Sequence, residues 1–572
     1  MALIKSPCLF FTTSPRTPFK MRPEIRLLVE QFRGLRWEGN SALQADFMRK
    51  LAASDDFEGS LNQNDPALSA RDRITRGPKA LGFVDLSKIG LTAAGECFLD
   101  EDLSEETLLR QLMKFQLPSP FHRVAKGVHS TFCVKPYLEI LRLIRRIGKL
   151  SFDELMLFGM QLTDYHEFEK VIQKIKVFRK GKVDAKGRYR KYLQEAKEKV
   201  VADLFSWEIA HGKIKTRESD GASLAKFVDT KASNLRDYAD ACLRYLRATG
   251  VVTISNPGKS ISVIDSRVCD VDYLLNTLDR SPVFVSDERK YKEYLYDDTL
   301  PRLYTDDRSN LERLAIDVRA VKTSKDAREC SIYGLKKAIR KAQETAKTEA
   351  VEKIVGELKT YSKYDEVMST FDAIKNKTVY DAPLTLEWNT WRAMTMLDGG
   401  NIKANLHFDA AGNPLSTAPG NGPDIVCDYE DFFVSVEVTM MSGQKQYDSE
   451  AEPVARHLGK LKSECGKPTY CLFVSPTINP AAVTHFYVLH KVCTAGYGGC
   501  ATIIPITLDR FVGMVAQSKA FGTVPRPDRL RAFCEYSIEK AKTATDENDW
   551  YLAVCDRADR WLEPCGDVKC AC

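Results

Sequence analysis

The feature that most limits how this chain can fold is a pair of β-rich segments joined by a short polar turn. Ile425-Val426-Cys427 and Phe432-Phe433-Val434-Ser435-Val436-Glu437-Val438-Thr439 flank Asp428-Tyr429-Glu430-Asp431. β-branched and aromatic residues on both sides of such a turn predict a hairpin. Side chains alternate along a strand, so Glu437 and Thr439 fall on the face opposite Val436 and Val438. Asp424 follows Pro423 at the head of the first segment, and the hairpin brings it beside Glu437.

At 572 residues the chain exceeds what one hydrophobic core organises, so several domains are expected. With 28% charged and 44% hydrophobic residues the composition is that of a globular protein rather than a disordered one. The opening residues lack the apolar core and cleavage site of a signal peptide. No run of about 18 apolar residues follows, so no membrane span is expected. These features predict a cytoplasmic location. The 16 cysteines are scattered without paired C-x-x-C spacing, which predicts reduced thiols and makes Cys565, Cys570 and Cys572 a tail rather than a metal site.

The amino-terminal half repeats the outline of a short amphipathic helix, a glycine-marked turn and two short strands. From Asp237, the residues Tyr238, Ala241, Cys242, Tyr245 and Leu246 share one helical face, Gly250 ends the helix, and Val251–Ile254 and Ser260–Ile264 flank Asn256-Pro257-Gly258-Lys259. Ser69 to Gly95 offers a second such unit, with strands at Gly82–Asp85 and Ile89–Thr92. In Pro136 to Met160, Gly148 breaks a helical stripe and Ser151-Phe-Asp-Glu154 forms a capping box. Helix plus hairpin is a winged-helix outline, and such units either place a helix in the major groove of DNA or serve only for packing. From Leu300 to Ala373 the texture turns to Lys, Glu, Ala and Arg, which predicts a helical connector. The expected organisation is multidomain α+β: winged-helix or helix-turn-helix recognition subdomains over 1–180 and 181–298, a helical linker over 299–378, and an α/β domain over 379–572.

Charge is concentrated rather than large. Net charge is +6, yet Val171 to Val200 holds eleven Lys or Arg against three acids, including Arg179, Lys180, Lys182, Arg188, Arg190 and Lys191. This stretch suits either phosphate neutralisation or a solvated connector. Arg16, Arg71, Arg73, Arg76 and Lys79 lie in polar, loop-like sequence; Arg is the side chain suited to bidentate contact with guanine, and Arg-Asp-Arg suits a surface ion-pair cluster equally.

The chemistry-bearing residues are acids. A carboxylate in an apolar strand loses hydration, which a bound cation offsets, and carboxylates converging from neighbouring strands are the oxygen ligands Mg²⁺ prefers. Such a metal polarises a phosphate and lowers the pKa of a bound water. Glu450, beyond Ser442-Gly443-Gln444, and Glu387, in Leu384-Thr-Leu-Glu-Trp388, are further acids. Pro-Asp, about a dozen residues, then Glu-x-x outlines the PD-(D/E)xK nuclease motif, a pattern short enough to arise by chance.

A longer set of segments resembles the AlwI family of type IIS restriction endonucleases, in the branch that includes large subunits of heterodimeric nicking enzymes. The segments are Ser14-Pro-Arg-Thr-Pro18, Ser69-Ala-Arg-Asp-Arg73, Gly420-Asn-Gly-Pro-Asp424, Tyr429-Glu-Asp-Phe432, Glu437-Val-Thr439, Glu450-Ala-Glu-Pro-Val-Ala-Arg-His457 and Tyr470-Cys-Leu-Phe-Val474. The resemblance implies that Asp424, Glu437 and Glu450 are metal ligands and that Glu387 belongs to the catalytic set. It also implies an amino-terminal half that reads a short asymmetric site in double-stranded DNA, cleavage a few nucleotides away with Mg²⁺, and a second strand cut through a smaller subunit or a transient homodimer of the nuclease domain. Where the general motif carries Lys, this chain and the family carry Thr439. The proton acceptor is then a metal-bound hydroxide, Glu450 or His457, while His457 equally suits packing with Val454, Leu458 and Leu461. Two other functions compete: a winged-helix DNA-binding protein with a degenerate nuclease domain, and a repair nuclease directed by DNA structure.

Overall fold

A computed structural model describes residues 2–54, 57, 64–125, 131–216, 223–255, 260–398, 400–409, 412–417, 422–522 and 527–563. The turn 256–259, Gly420, Asn421 and the cysteines at 565, 570 and 572 lie outside the described residues. The chain divides into two compact units, 1–343 and 344–572. The division falls within the segment expected as a connector, inside one helix, Ile332–Lys359. Both units mix helices with small sheets, so the α+β class holds. No described helix is long and apolar enough to cross a membrane.

In the first unit, α1 (Met21–Phe32) and a helix at Ser41–Ala52 precede α2 (Pro66–Ile74) and a π-helical turn, Thr75–Lys79. The polar segment around Arg71 is therefore helical, not loop. Asp65 caps it by accepting from the Leu68 N–H, Pro66 supplies a preset φ, and Ala67, Ala70 and Ile74 bury one stripe. The strands β1 (Val84–Asp85) and β2 (Gly90–Leu91) pair antiparallel. Beyond α3 (Ser104–Lys114), α4 (Pro136–Ile147) ends at Gly148 with φ 80°, and the capping box joins Ser151 and Glu154 at the head of α5 (Phe152–Leu157). The basic stretch forms two helices, α6 (Phe168–Asp184) and α7 (Tyr189–Leu204). The helix expected from Asp237 is longer than read: α8 runs Leu224–Ala248, because Ser223 caps it at the Lys226 N–H. Gly250 follows, then the antiparallel hairpin β3 (Val252–Ser255) and β4 (Ser260–Val263). Reciprocal backbone bonds between Leu150 and Ile261 tie that hairpin to the α4–α5 turn.

The second unit carries α9 (Tyr364–Lys375) and α10 (Ala382–Asp398) ahead of a five-stranded sheet. Its strands are β5 (Asn401–Ala404), β6 (Ile425–Asp428), β7 (Phe433–Val438), β8 (Thr469–Ser475) and β9 (Ile503–Thr507), neighbouring one another in that order. The first three pair antiparallel and the last three parallel, with α11 (Gln444–Cys465) and α12 (Pro480–Lys491) as the crossovers. All seven residues of β8 are buried, as a strand covered on both faces requires. Trp391, Phe473, Phe486, Trp550 and Trp561 belong to one apolar core that α13 (Leu508–Ala520) and the last helices close. One cysteine expectation fails: Cys493 and Cys500 form a disulfide across the turn after α12. Thr494 and Gly499 pair across that turn and bring the two thiols together, a proximity that spacing alone does not reveal.

Candidate active site

The hairpin register builds the site. Ile425 pairs with Val436, so the next position outward sets Asp424 across from Glu437. Asp424 Oδ2 accepts the Val438 N–H at 2.8 Å, and its backbone carbonyl accepts the Asn405 N–H at 2.8 Å. Glu437 is 6% exposed in a strand whose neighbours Val434, Ser435 and Val436 are fully buried. The crossover helix α11 then delivers two more side chains. Glu450 Oε1 accepts the Thr439 hydroxyl at 2.9 Å, and His457 Nδ1 lies 2.9 Å from Glu437 Oε1. Glu387 reaches the cluster from α10, where Leu384 and Leu386 are buried beside it.

Four carboxylates thus come together, Glu437 buried and Asp424, Glu387 and Glu450 half-buried, and their electrostatics show it. Burial, then the charges of Asp424, Asp381 and Glu450, pushes Glu387 up to about 9. Burial and Glu437 hold Asp424 well above the ordinary carboxyl range, although the Val438 N–H opposes them. Burial and Glu450 do the same to Glu437, and burial raises Glu450 against its bond from Thr439. His457 is depressed by burial, so its contact with Glu437 is a hydrogen bond rather than an ion pair. No Lys or Arg of the described residues forms an ion pair with any of the four acids. A cluster of this kind is poised to release protons when a cation arrives.

The donor chemistry fits a hard divalent cation: carboxylate oxygens, buried or half-buried, and, among the described residues, without a Lys or Arg paired to them. Among the described residues no three such side chains are yet gathered tightly enough to hold an ion. Asp424, Glu437 and Glu450 each lean on a separate hydrogen-bond partner, the Val438 N–H, His457 and the Thr439 hydroxyl. His457 combines its two sequence readings, since it sits on the helix face with Val454 and Leu458 and still meets Glu437. Asp381, which adds charge beside Glu387, went unread; its place ahead of Ala382-Pro383 at the start of α10 is the signal that marks it. Gln446, fully buried near the head of α11, was also missed.

The basic residues expected to meet DNA are scattered over the first unit and differ in availability. Arg73 pairs with buried Glu24, and Lys79, 9% exposed, pairs with Glu38 at 2.5 Å, so both are engaged internally. Arg179 is held by both oxygens of Glu154, at 2.8 and 2.9 Å. Arg71 donates to Gln44 at 2.8 Å, Arg76 pairs with Asp72 at 3.0 Å, and Arg16 with Asp237 at 3.3 Å. Lys180, Lys182, Arg188, Arg190 and Lys191 are exposed along α6, α7 and the turn between them; Lys182 lies over the Tyr189 ring.

Comparison with known proteins follows the same line. A search of curated proteins found no match. Among solved structures, the small subunit (R.BspD6I2) of the heterodimeric restriction endonuclease R.BspD6I is similar at 26% identity, over 34% of this chain and 95% of that one, with a TM-score of 0.28. The BpuJ1 endonuclease binding domain, solved with pyrene- and phenanthrene-modified DNA, is similar at 10% identity over 48% of this chain and 92% of its own, with a TM-score of 0.31. The family described as AlwI restriction endonuclease matches residues 80–514, well over half of the sequence. The chain therefore belongs to the AlwI restriction endonuclease family, and is a restriction enzyme, a nuclease whose partner is DNA.

Proposed function

We propose that this chain is a type IIS restriction endonuclease that recognises a short asymmetric double-stranded site and hydrolyses a phosphodiester bond a few nucleotides to one side with Mg²⁺. The observation that carries this reading is the convergence of Asp424, Glu437, Glu450 and Glu387 in one cluster, buried or half-buried, with no Lys or Arg counterion among the described residues. The second unit is read as a PD-(D/E)xK-type nuclease, and the helix-plus-hairpin elements of the first as winged-helix modules. Asp424, Glu437 and Glu450 would hold the ion, which when bound supplies Lewis-acid polarisation of the scissile phosphate and a more acidic water. Asp424 is fixed for this by the Val438 N–H, which bonds to its Oδ2 and leaves Oδ1 available as a ligand. His457 serves as the proton acceptor. With Nδ1 donating to Glu437, its Nε2 is left as the lone-pair nitrogen that takes a proton from the attacking water as the water oxygen bonds to phosphorus, the bond to the leaving oxygen breaks, and that oxygen takes a proton from solvent. Glu387, pushed up by burial and the neighbouring acids, would ionise as a cation enters and add its charge to the set that holds it.

Exposed Lys180, Lys182, Arg188, Arg190 and Lys191 bind phosphates without reading sequence, which predicts strong salt dependence. One acid cluster of fixed polarity cuts one strand, so a smaller subunit or a transient homodimer serves the other. The test is to compare wild type with Asp424→Asn and Glu437→Gln, scoring cleavage in Mg²⁺ and site-specific binding in Ca²⁺. Cleavage falls by about a thousandfold or more while binding persists, the scale on which transition-state charge stabilisation acts. Normal cleavage by Asp424→Asn would sink the assignment.

A further inference from the structure

The acids of the cluster come from different elements, and something must fix the helix that carries Glu450 against the hairpin that carries Asp424 and Glu437. Between Glu437 and α11 lies a short loop, and two buried polar side chains control it. Thr439 is 7% exposed. Its backbone N–H bonds to the Val474 carbonyl at 3.1 Å, its hydroxyl donates to Glu450 at 2.9 Å, and the same oxygen accepts the Met441 N–H at 3.1 Å. The hydroxyl therefore spans from the last strand position to the acid on the helix. Gln446, fully buried, lies one helical turn before Glu450. Its amide donates toward the Met441 carbonyl at 2.9 Å, Ser475 Oγ at 2.8 Å and the Thr477 carbonyl at 2.8 Å, and its oxygen accepts the Asn479 N–H at 2.7 Å. Ser475 also donates to the Met441 carbonyl at 3.3 Å. One amide thus joins the loop, the end of β8 and the start of α12. Rotating α11 away from the sheet would break these bonds inside a dry region, where unpaired polar groups are costly.

We propose that Thr439 and Gln446 are positioning residues whose hydrogen bonds, meeting at Met441, hold Glu450 within electrostatic reach of Asp424 and Glu437, so that less rearrangement is needed when a divalent cation draws the three acids together. Thr439 stands where the general nuclease motif has a lysine, so this position serves geometry here instead of carrying charge. Partners of this kind set metal affinity because ligands that must be reorganised bind less well. The inference rests on the metal reading proposed above, and the experiment separates the two.

Full-length wild type, Thr439→Val, Thr439→Ser, Gln446→Met and Asp424→Ala are compared by calorimetric titration with Ca²⁺ and by the Mg²⁺ concentration giving half-maximal plasmid cleavage, with thermal midpoints as a fold control. Thr439→Val should weaken Ca²⁺ binding about tenfold or more and raise the Mg²⁺ requirement to match. Thr439→Ser, which keeps the hydroxyl, should recover most of the loss, and Gln446→Met should shift in the direction of Thr439→Val. Wild-type Ca²⁺ affinity in both Thr439→Val and Gln446→Met, with only the thermal midpoint lowered, would show a purely structural role and overturn the inference. Should Gln446→Met fail to fold, the Thr439 pair decides alone: equal affinities for Val and Ser overturn it. Undiminished Ca²⁺ binding by Asp424→Ala overturns the metal reading itself, and the inference with it.

Discussion

His490 is a buried imidazole with one used and one unused nitrogen. Nε2 donates to the Ile503 carbonyl at 2.8 Å, Nδ1 has no partner among the described residues, and the ring packs 5.0 Å from Trp550. Burial, only partly opposed by the bond to Ile503, pushes its pKa down to about 4; His122 in the first unit is held near the same value by burial. A histidine whose folded pKa lies below its unfolded value stabilises the fold above the unfolded pKa. That contribution is lost as pH falls from about 6.5 toward about 4. A displacement of this size is worth about 3 kcal/mol. His490→Gln keeps a donor for Ile503 and removes the titration, so its urea midpoint should fall less between pH 7 and pH 4.5 than that of the wild type. Parallel pH profiles would refute this. The acids of the site titrate in both proteins and cancel in the comparison.

At the scale of elements, α11 is held by close approach as much as by polar bonds. A Cβ at Gly459 would lie 2.7 Å from the Tyr497 Cα, inside the disulfide-closed turn. Alanine gains about 1 kcal/mol of helix propensity over glycine, but backbone contact at that distance costs more than the gain, typically about 1–3 kcal/mol for overpacking. Gly459→Ala should therefore lower the thermal midpoint and, by displacing α11, reduce cleavage. Gly513 in α13 has nothing within 4 Å of its added Cβ, so Gly513→Ala should raise the midpoint. If both substitutions stabilise equally, the close packing of α11 on the turn is not real. Ser151→Ala, which removes half of the capping box at α5, should cost about 1 kcal/mol. That box was legible in four residues because capping is local chemistry. The full length of α8 was not, since Phe227 and Leu235 share the face of Tyr238 and Leu246 but the polar Lys231 and Asn234 interrupt the apolar stripe between them.

For the whole molecule, the division into units decides which fragments stand alone. Residues 1–343 should fold and shift DNA carrying the site, with affinity falling steeply as salt rises. A fragment ending at Asp297, where the linker was expected to begin, removes partners from a buried cation. Arg110 donates to the Thr299 carbonyl at 2.8 Å, the Pro301 carbonyl at 2.6 Å and Asp306 at 2.7 Å, and Lys336 bonds to Glu106 and Asp306 at 2.8 and 2.9 Å. That shorter fragment should be markedly less stable than 1–343 in urea; equal midpoints would show that 298–343 adds nothing. The full chain should nick before it linearises. A plasmid time course at low enzyme concentration tests this, and prompt linear product without an open-circular intermediate rules it out.

What the sequence alone determined is local or periodic: the hairpin around 428–431, the placement of Asp424 beside Glu437, the helical texture after Leu300 and the Ser151 cap. Each follows from propensity, from alternation or from a side chain bonding to its own backbone. What only the tertiary structure decided is what long-range packing imposes. The fold turned Glu387 and Asp381 toward the same acids, set His457 against Glu437, and tied Gln446 to three separate segments. It also withdrew Arg73 and Lys79 into ion pairs within the first unit and closed Cys493 on Cys500. A residue's type shows what it can bind. Its partner across 20 or more residues, as in Glu437–His457, depends on how strands register and helices cross, which no local pattern records.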